Sequence, residues 1–215
     1  MYLVKTPKII KNLFPNFTWS IPSTEKEVFI TFDDGPIPEV TPWVVEQLAA
    51  YQAKATFFCV GDNAEKHPEV LEMVSDAGHA LGNHTFNHLN GWHTDNMPYF
   101  HNIRRCSRLV RSPLFRPPYG KLKPKQAQFL QRHYRIVMWD ILSGDFDPAI
   151  SKEQCLANVL NNVASGSIIV FHDSLKAESK LRYALPRVLD ALGEEGYAFG
   201  TLSPKVAVNK QAVYA

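Results

Sequence analysis

The sequence predicts an α/β protein, a parallel sheet flanked by helices, in a single domain. Two observations carry this. Strand-like and helix-like segments alternate about seven times along the chain, the pattern of repeated βα units. Polar residues then gather where the strands end, at Asp33-Asp34, His84, Arg116, Trp139-Asp140 and His172-Asp173. In parallel α/β architectures the strand C-terminal ends face one way and hold the site. An open doubly wound sheet and a barrel both fit the pattern. No Gly-x-Gly-x-x-Gly follows a strand, which disfavours dinucleotide binding.

Residues 1–25 carry Pro7, Pro15 and Pro22 and read as an irregular arm over the domain, with one helical turn near Lys8 to Leu13. Val28-Phe29-Ile30-Thr31-Phe32 is a short buried strand running into Asp33-Asp34, and Gly35-Pro36 turns the chain away. Successive strand residues face opposite ways, so the two carboxylates share a direction only if the backbone bends there. Thr41 as cap and Pro42 in the first turn open a helix with Val44, Gln47, Leu48 and Tyr51 at helical spacing. Ala55 to Val60 is a strand ended by Gly61. Pro68 opens a helix that Gly78 closes. His79 to Asn83 is a strand, Asn87 to Asn96 an exposed loop, and Pro98 to Val110 a helix with an arginine-rich solvated face. Leu114 to Arg116 is a short strand, and Pro117 to Gly120 a stiff turn. Pro124 to His133 is a helix and Arg135 to Trp139 a strand. Ser151 and Gln154 have capping-box spacing for a helix to Val163. Ser167 to Phe171 is the most apolar strand. Leu181 to Leu192 is a helix with a possible kink at Pro186, and Tyr197 to Leu202 a closing strand. The domain spans residues 26–205, with a tail at 206–215.

The 215 residues suffice for one sizeable core. Hydrophobic content of 45% and charged content of 20% are those of a soluble globular protein. A net charge of +2 gives no electrostatic footprint for nucleic acid, and no segment is long and apolar enough to span a membrane. Cys59, Cys106 and Cys155 are odd in number and form no Cys-x-x-Cys, so neither a disulfide framework nor a zinc knuckle is expected. With no visible signal peptide, a cytoplasmic location is the default expectation, and a monomer the expected state.

His84-x-x-x-His88 has ligand spacing, since residues four apart share a helical face. Asp plus two His, with positions left open for water, suits a catalytic zinc or a similar divalent ion. Each residue has a bland reading taken singly: a turn cap for Asp33-Asp34, loop hydrogen bonding for the histidines, a surface salt bridge for Arg116. Their joint fall on one rim argues against coincidence. His93 and His101 read as loop or surface residues.

The chain resembles the polysaccharide deacetylases, metal-dependent carbohydrate esterases acting on N-acetylated sugars. The resemblance is carried, in order, by Thr31-Phe32-Asp33-Asp34-Gly35-Pro36, His84-Thr85-Phe86-Asn87-His88, Arg116-Pro117-Pro118-Tyr119-Gly120 and Phe171-His172-Asp173. Ala55 to Gly61 and Gly78 to Asn83 support it. It implies a distorted, incomplete (β/α)7 barrel. It also implies a divalent metal, usually zinc, on Asp34, His84 and His88. Asp33 would be the general base held by Arg116, the Tyr119 backbone N–H would bind the oxyanion, and His172 would be the general acid. The implied substrate is an N-acetylated saccharide. Pro118, Tyr119, Trp139 and Val170 are the expected substrate contacts, with Trp92 a further stacking candidate.

One departure from the family pattern stands out. Leu142 occupies the place of an expected carboxylate in Trp139-Asp140-Ile141-Leu142-Ser143-Gly144-Asp145-Phe146-Asp147, and Phe146 replaces a second Trp. Asp145, after the permissive Gly144, is the expected support of His172. Two competing readings are a carbohydrate-binding protein on the same fold with weak or no catalysis, and a hydrolase of another amide.

Overall fold

β1 (Glu27–Asp33) forms the middle of the molecule because its run of β-branched and aromatic side chains is buried on both faces. In the computed structural model, which describes residues 2–202, six further strands extend the same parallel sheet. These are β2 (Thr56–Cys59), β3 (Ala80–Asn83), β4 (Leu114–Phe115), β5 (Arg135–Ile136), β6 (Ile141–Leu142) and β7 (Ile168–His172), in the spatial order β5-β4-β3-β2-β1-β7-β6. β8 (Ala198–Phe199) pairs with the start of β1. The helices are α1 (Lys8–Leu13), α2 (Thr41–Ala50), α3 (Gly61–Lys66), α4 (Pro68–Asp76), α5 (Asn96–Ser107), α6 (Pro124–Leu130), α7 (Lys152–Leu160) and α8 (Glu178–Glu194). The expected tail at 206–215, and positions 203–205 of the expected domain, lie outside the described residues.

The connection from β5 to β6 decides between open sheet and barrel. These strands end the path on opposite sides, yet only residues 137–140 separate them. Four residues reach at most about 14 Å, so the sheet must curl until its two edges face each other. It is an incomplete barrel: β5 and β6 do not pair, and the arm fills the seam. Lys5 bridges Ile141, and Thr18 bridges Val137. Thr6 N donates to Asp140 O at 2.8 Å, and Leu142 N donates to Val4 O at 2.8 Å.

Strand alternation sorts the apolar side chains into two cores. Ile30, Phe32, Phe57, Ile169 and Phe171 face outward under the helices. Phe29, Phe58, Leu114, Val137 and Ile168 fill the barrel interior. The inward rows continue upward as Thr31 then Asp33 on β1, and Val170 then His172 on β7.

Several local expectations need correcting. Thr41 is not a cap: α2 is preceded by Val40 with no side-chain cap, and Thr41 Oγ1 instead accepts from Ile37 N and donates to Asp173. Gly61 opens α3 rather than merely ending β2. α5 starts at Asn96, before Pro98. β5 stops at Ile136, because the chain there leaves β4 to cross the seam towards β6. Ser151 does cap α7 by accepting from Gln154 N, but the Gln154 side chain bonds Asn158 rather than closing the box. α8 runs through Pro186 and is longer at both ends than expected. All three cysteines are free and buried. No helix among the described residues is long and apolar enough to cross a membrane.

The seam depends on Gly166, which has φ +80° and would bring a Cβ to 1.8 Å from the Ile21 carbonyl oxygen. Gly166→Ala should destabilise the fold by more than the ~1–2 kcal/mol cost of a left-handed alanine, because the arm must also shift. Urea unfolding measures the loss. Hydrogen exchange should quicken first at Ile21, whose N–H bonds Gly166 O.

Candidate active site

Asp33 and Asp34 follow each other in β1's run-out, yet both reach one cavity. The bend that alternation requires is present: Asp34 has φ +87°. Asn63 Nδ2 bonds the Asp34 carbonyl oxygen at 2.8 Å, and Asp173 Oδ1 accepts from Gly35 N at 3.0 Å, so the turn is held from two sides. The cavity, about 480 Å³, is lined by Asp33, Asp34, His84, His88, Tyr119 and His172, with Trp139, Leu142, Phe146 and Val170 among its walls.

His84 and His88 come together without a helix, which corrects the expectation drawn from their spacing. The segment after β3 is a tight turn in which Thr85 and His88 take φ +63° and +52°. Asn83 Oδ1 accepts from Thr85 N at 2.9 Å. Asn102 Oδ1 accepts from the backbone N–H of Phe86 at 2.7 Å and of Asn87 at 2.9 Å. The two imidazole centroids lie 5.0 Å apart.

One ligating atom each from Asp34, His84 and His88 lies within 4.8 Å of the others. Asp34 Oδ1 is buried and without a hydrogen-bond partner, at 3.2 Å from His88 Nε2 and 3.8 Å from His84 Nε2. An orphaned carboxylate oxygen between two imidazole nitrogens fits a cation between them. His84 Nδ1 lies 2.8 Å from the Arg116 carbonyl oxygen, which fixes the proton there and turns the Nε2 lone pair to the cavity. Burial pushes His84 down to about 4 despite the charges of Asp33 and Asp34, so its ring is neutral, as a ligand must be. Burial pushes Asp34 up, but contact with His88 and the charges of His172 and His84 outweigh it and hold its carboxyl well below the usual range.

Arg116 is no surface residue. It is wholly buried, with Nη1 donating to Asp33 Oδ1 at 2.6 Å and to Thr31 Oγ1 at 2.8 Å. That leaves Asp33 Oδ2 facing the cavity, 4.0 Å from His84 Nε2. On the other side, Asp145 is fully buried behind His172, with Oδ1 at 2.8 Å from Nδ1 and Oδ2 accepting from the backbone N–H at 2.7 Å. Burial alone would lower His172; the charge of Asp145 and its hydrogen bond, with Asp34 and Asp33, raise it to about 9.

With this geometry in place, likeness to known proteins becomes informative. The family model described as polysaccharide deacetylase matches residues 20–135. A peptidoglycan-N-acetylglucosamine deacetylase of Bacillus cereus is 35% identical over 195 residues, 86% of this chain and 91% of the relative. The chain belongs to the polysaccharide deacetylase family. A chitooligosaccharide deacetylase of Azorhizobium caulinodans is 31% identical, over 85% of this chain and 95% of that one. The crystal structure of the Bc1960 peptidoglycan N-acetylglucosamine deacetylase, in complex with 4-naphthalen-1-yl-N-oxidanyl-benzamide, has a TM-score of 0.84. It is 30% identical and covers 92% of this chain and 95% of the other.

Within this polysaccharide deacetylase, not every expected contact reaches the cavity. Pro118 is buried and does not line it; it begins the turn that carries Tyr119 at φ +60°. Tyr119 is exposed, with its ring edge-on to His88 at 4.7 Å. Trp139 lines the cavity while packing on the interior cluster and on an outer cluster of Trp19, Tyr99 and Phe115. Trp92 is exposed and does not line it; its Nε1 bonds Leu122 O at 3.1 Å. Asp140 points away, bonded to Lys5, Lys11 and Ser167. Sequence reasoning missed Asn63 and Asn102, while Asn83 and Asp173 fell within the matched motifs with no role assigned; burial lifts Asp173 to about 7.

The His172–Asp145 contact gives a direct test. In metal-free protein the His172 ring should titrate near pH 9 by NMR. In Asp145→Asn its pKa should fall well below that, because burial is then opposed only by the charges of Asp34 and Asp33. An unmoved titration would mean Asp145 does not hold the proton.

Proposed function

We propose that this protein removes N-acetyl groups from N-acetylglucosamine-containing saccharides, releasing acetate and leaving a free amino sugar, with a divalent ion, zinc in this reading, held by Asp34, His84 and His88. One observation supports it above the rest. The three converging ligand atoms share a single cavity with a carboxylate held by a buried arginine and with a histidine held protonated. A pure carbohydrate binder has no use for that set.

When bound, the ion polarises the amide carbonyl and lowers the pKa of water. Asp33 is the general base. Arg116 occupies its Oδ1, which leaves Oδ2 to take the proton as water oxygen bonds to the acetyl carbon. The Tyr119 backbone N–H is assigned to the negative charge that builds on the carbonyl oxygen. His172, kept as imidazolium by Asp145, gives its proton to the departing nitrogen as the C–N bond breaks. Leu142 and Val170, paired across β6 and β7, form the apolar wall for the acetyl methyl. Tyr119 and Trp139 take the sugar ring. Phe146, edge-on to His172 at 5.1 Å, packs against the side of that ring.

Acetate release from a panel of N-acetylated saccharides, with and without added zinc, tests the activity. No release from any member under either condition would remove it. Asp33→Asn should retain the metal by elemental analysis yet lose about 10²–10⁴ in rate. Asp34→Ala and His88→Ala should each lose the metal itself; full occupancy in both would refute the ligand assignment.

A further inference from the structure

The arm does more than fill a seam. Tyr2, only two residues before the first backbone bond to β6, lies in the wall of the active-site cavity. Its ring packs on Phe146 with centroids 5.2 Å apart, and burial together with the nearby Asp147 carboxylate pushes its phenol up to about 12. Phe146 in turn packs edge-on against His172. A continuous aromatic wall, Tyr2 to Phe146, thus reaches from the arm to the catalytic histidine.

The arm is fixed by a latch of its own. Asp140, almost fully buried, accepts from Lys5 Nζ, Lys11 Nζ and Ser167 Oγ, each at 2.6 Å. Lys5 Nζ also bonds Asn162 O at 2.6 Å. Two arm lysines therefore meet on one buried carboxylate, between the strands whose edges the arm closes. Val4 and Thr6 bond the backbone on either side of this point. Four close backbone and charge contacts within residues 4–6 leave Tyr2 little freedom to leave the cavity.

We infer that Tyr2 is a specificity-determining residue: the arm delivers it as a stacking surface for a pyranose ring of the substrate, and Asp140 is the positioning residue that keeps it there. This rests on the saccharide reading above. The chemistry is that of an aromatic face against the C–H face of a sugar, with the phenol turned aside to Asp147. A small acetylated substrate without a sugar gains nothing from it.

The test uses the full chain and N-acetylglucosamine tetrasaccharide. Tyr2→Ala should raise KM about tenfold, roughly 1.4 kcal/mol of lost ground-state binding, with little change in kcat. Tyr2→Phe should restore KM, because the ring and not the hydroxyl does the stacking. Lys11→Met, milder than a change at Asp140, should raise KM in the wild-type background and add nothing to Tyr2→Ala, since it acts through that ring. Titration of tetrasaccharide binding by fluorescence separates this inference from the catalytic one. Binding that weakens in Tyr2→Ala, in a protein that releases no acetate, would keep the arm's role and remove the deacetylase. Unchanged KM and binding in Tyr2→Ala, additive effects of the two substitutions, or no tetrasaccharide binding by the wild type would each overturn the arm's role.

Discussion

A charged guanidinium in the middle of a barrel is costly unless every donor is met, and the site is built around how Arg116 is met. Nη1 serves Asp33 and Thr31 on β1, Nη2 bonds Met138 O at 3.0 Å, Nε bonds Val137 O at 3.3 Å, and the plane lies 4.1 Å from the Phe58 ring centroid on β2. Its own carbonyl fixes His84. One side chain therefore ties the ends of β1, β2 and the segment after β5 across the interior, while its backbone carbonyl orients the His84 ring. Removing one partner of such a buried pair costs about 3–5 kcal/mol, since the other charge stays behind unpaired. A lysine could not replace it, having a single charged point where the fork supplies three directions.

Strain is concentrated at the same rim. Among the described residues, those other than glycine with positive φ are Asp34, Thr85, His88, Tyr119 and Gln52, and all but Gln52 belong to the site or the turn that forms it. Such conformations cost of order 1–3 kcal/mol each and persist only where the surroundings over-determine them. The surroundings here are polar: half-buried Asn63 and buried Asp173 on the Asp34 turn, buried Asn83 and half-buried Asn102 on the histidine turn. Strands alone would point Asp33 and Asp34 apart. The bent rim lets neighbours in sequence share one cavity in different environments, one against a buried guanidinium and the other between two imidazoles.

That division explains what could be read from the chain. The strand-end polar residues were legible because a parallel sheet sends all its C-terminal ends one way, and Asp33, Asp34, His84 and His172 do converge. The barrel was not legible from periodicity, since an open sheet has the same βα alternation; the four residues between β5 and β6 reveal it only once the pairing is known. β6 itself, two residues long, is too short to leave a periodic signal. The H-x-x-x-H spacing expected the two histidines to meet on a helix face, and they meet instead through a strained turn. Tyr2 left no trace at all, because its place depends on a lysine-to-aspartate contact spanning 135 positions of sequence.

Two of the imidazoles in the cavity wall illustrate how little residue type decides. His84 follows β3 and His172 ends β7, yet one is pushed to about 4 and the other to about 9. His84 offers Nδ1 to a neutral carbonyl, and its carboxylate neighbours stand 3.8 Å and 4.0 Å away. His172 meets the fully buried Asp145 at 2.8 Å, where no water screens the charge. At neutral pH one therefore presents a lone pair and the other carries a proton. The position of Leu142 follows from the same geometry. Because Asp145 approaches His172 from behind, the cavity wall at residue 142 need not supply a carboxylate. Leu142 then lies beside Val170, its partner across the sheet, as an apolar surface in the cavity that His172 also lines. A carboxylate at residue 142 would put its charge into the wall assigned to the acetyl methyl. Placing the histidine's partner behind it keeps the proton on the ring and leaves the wall beside it apolar.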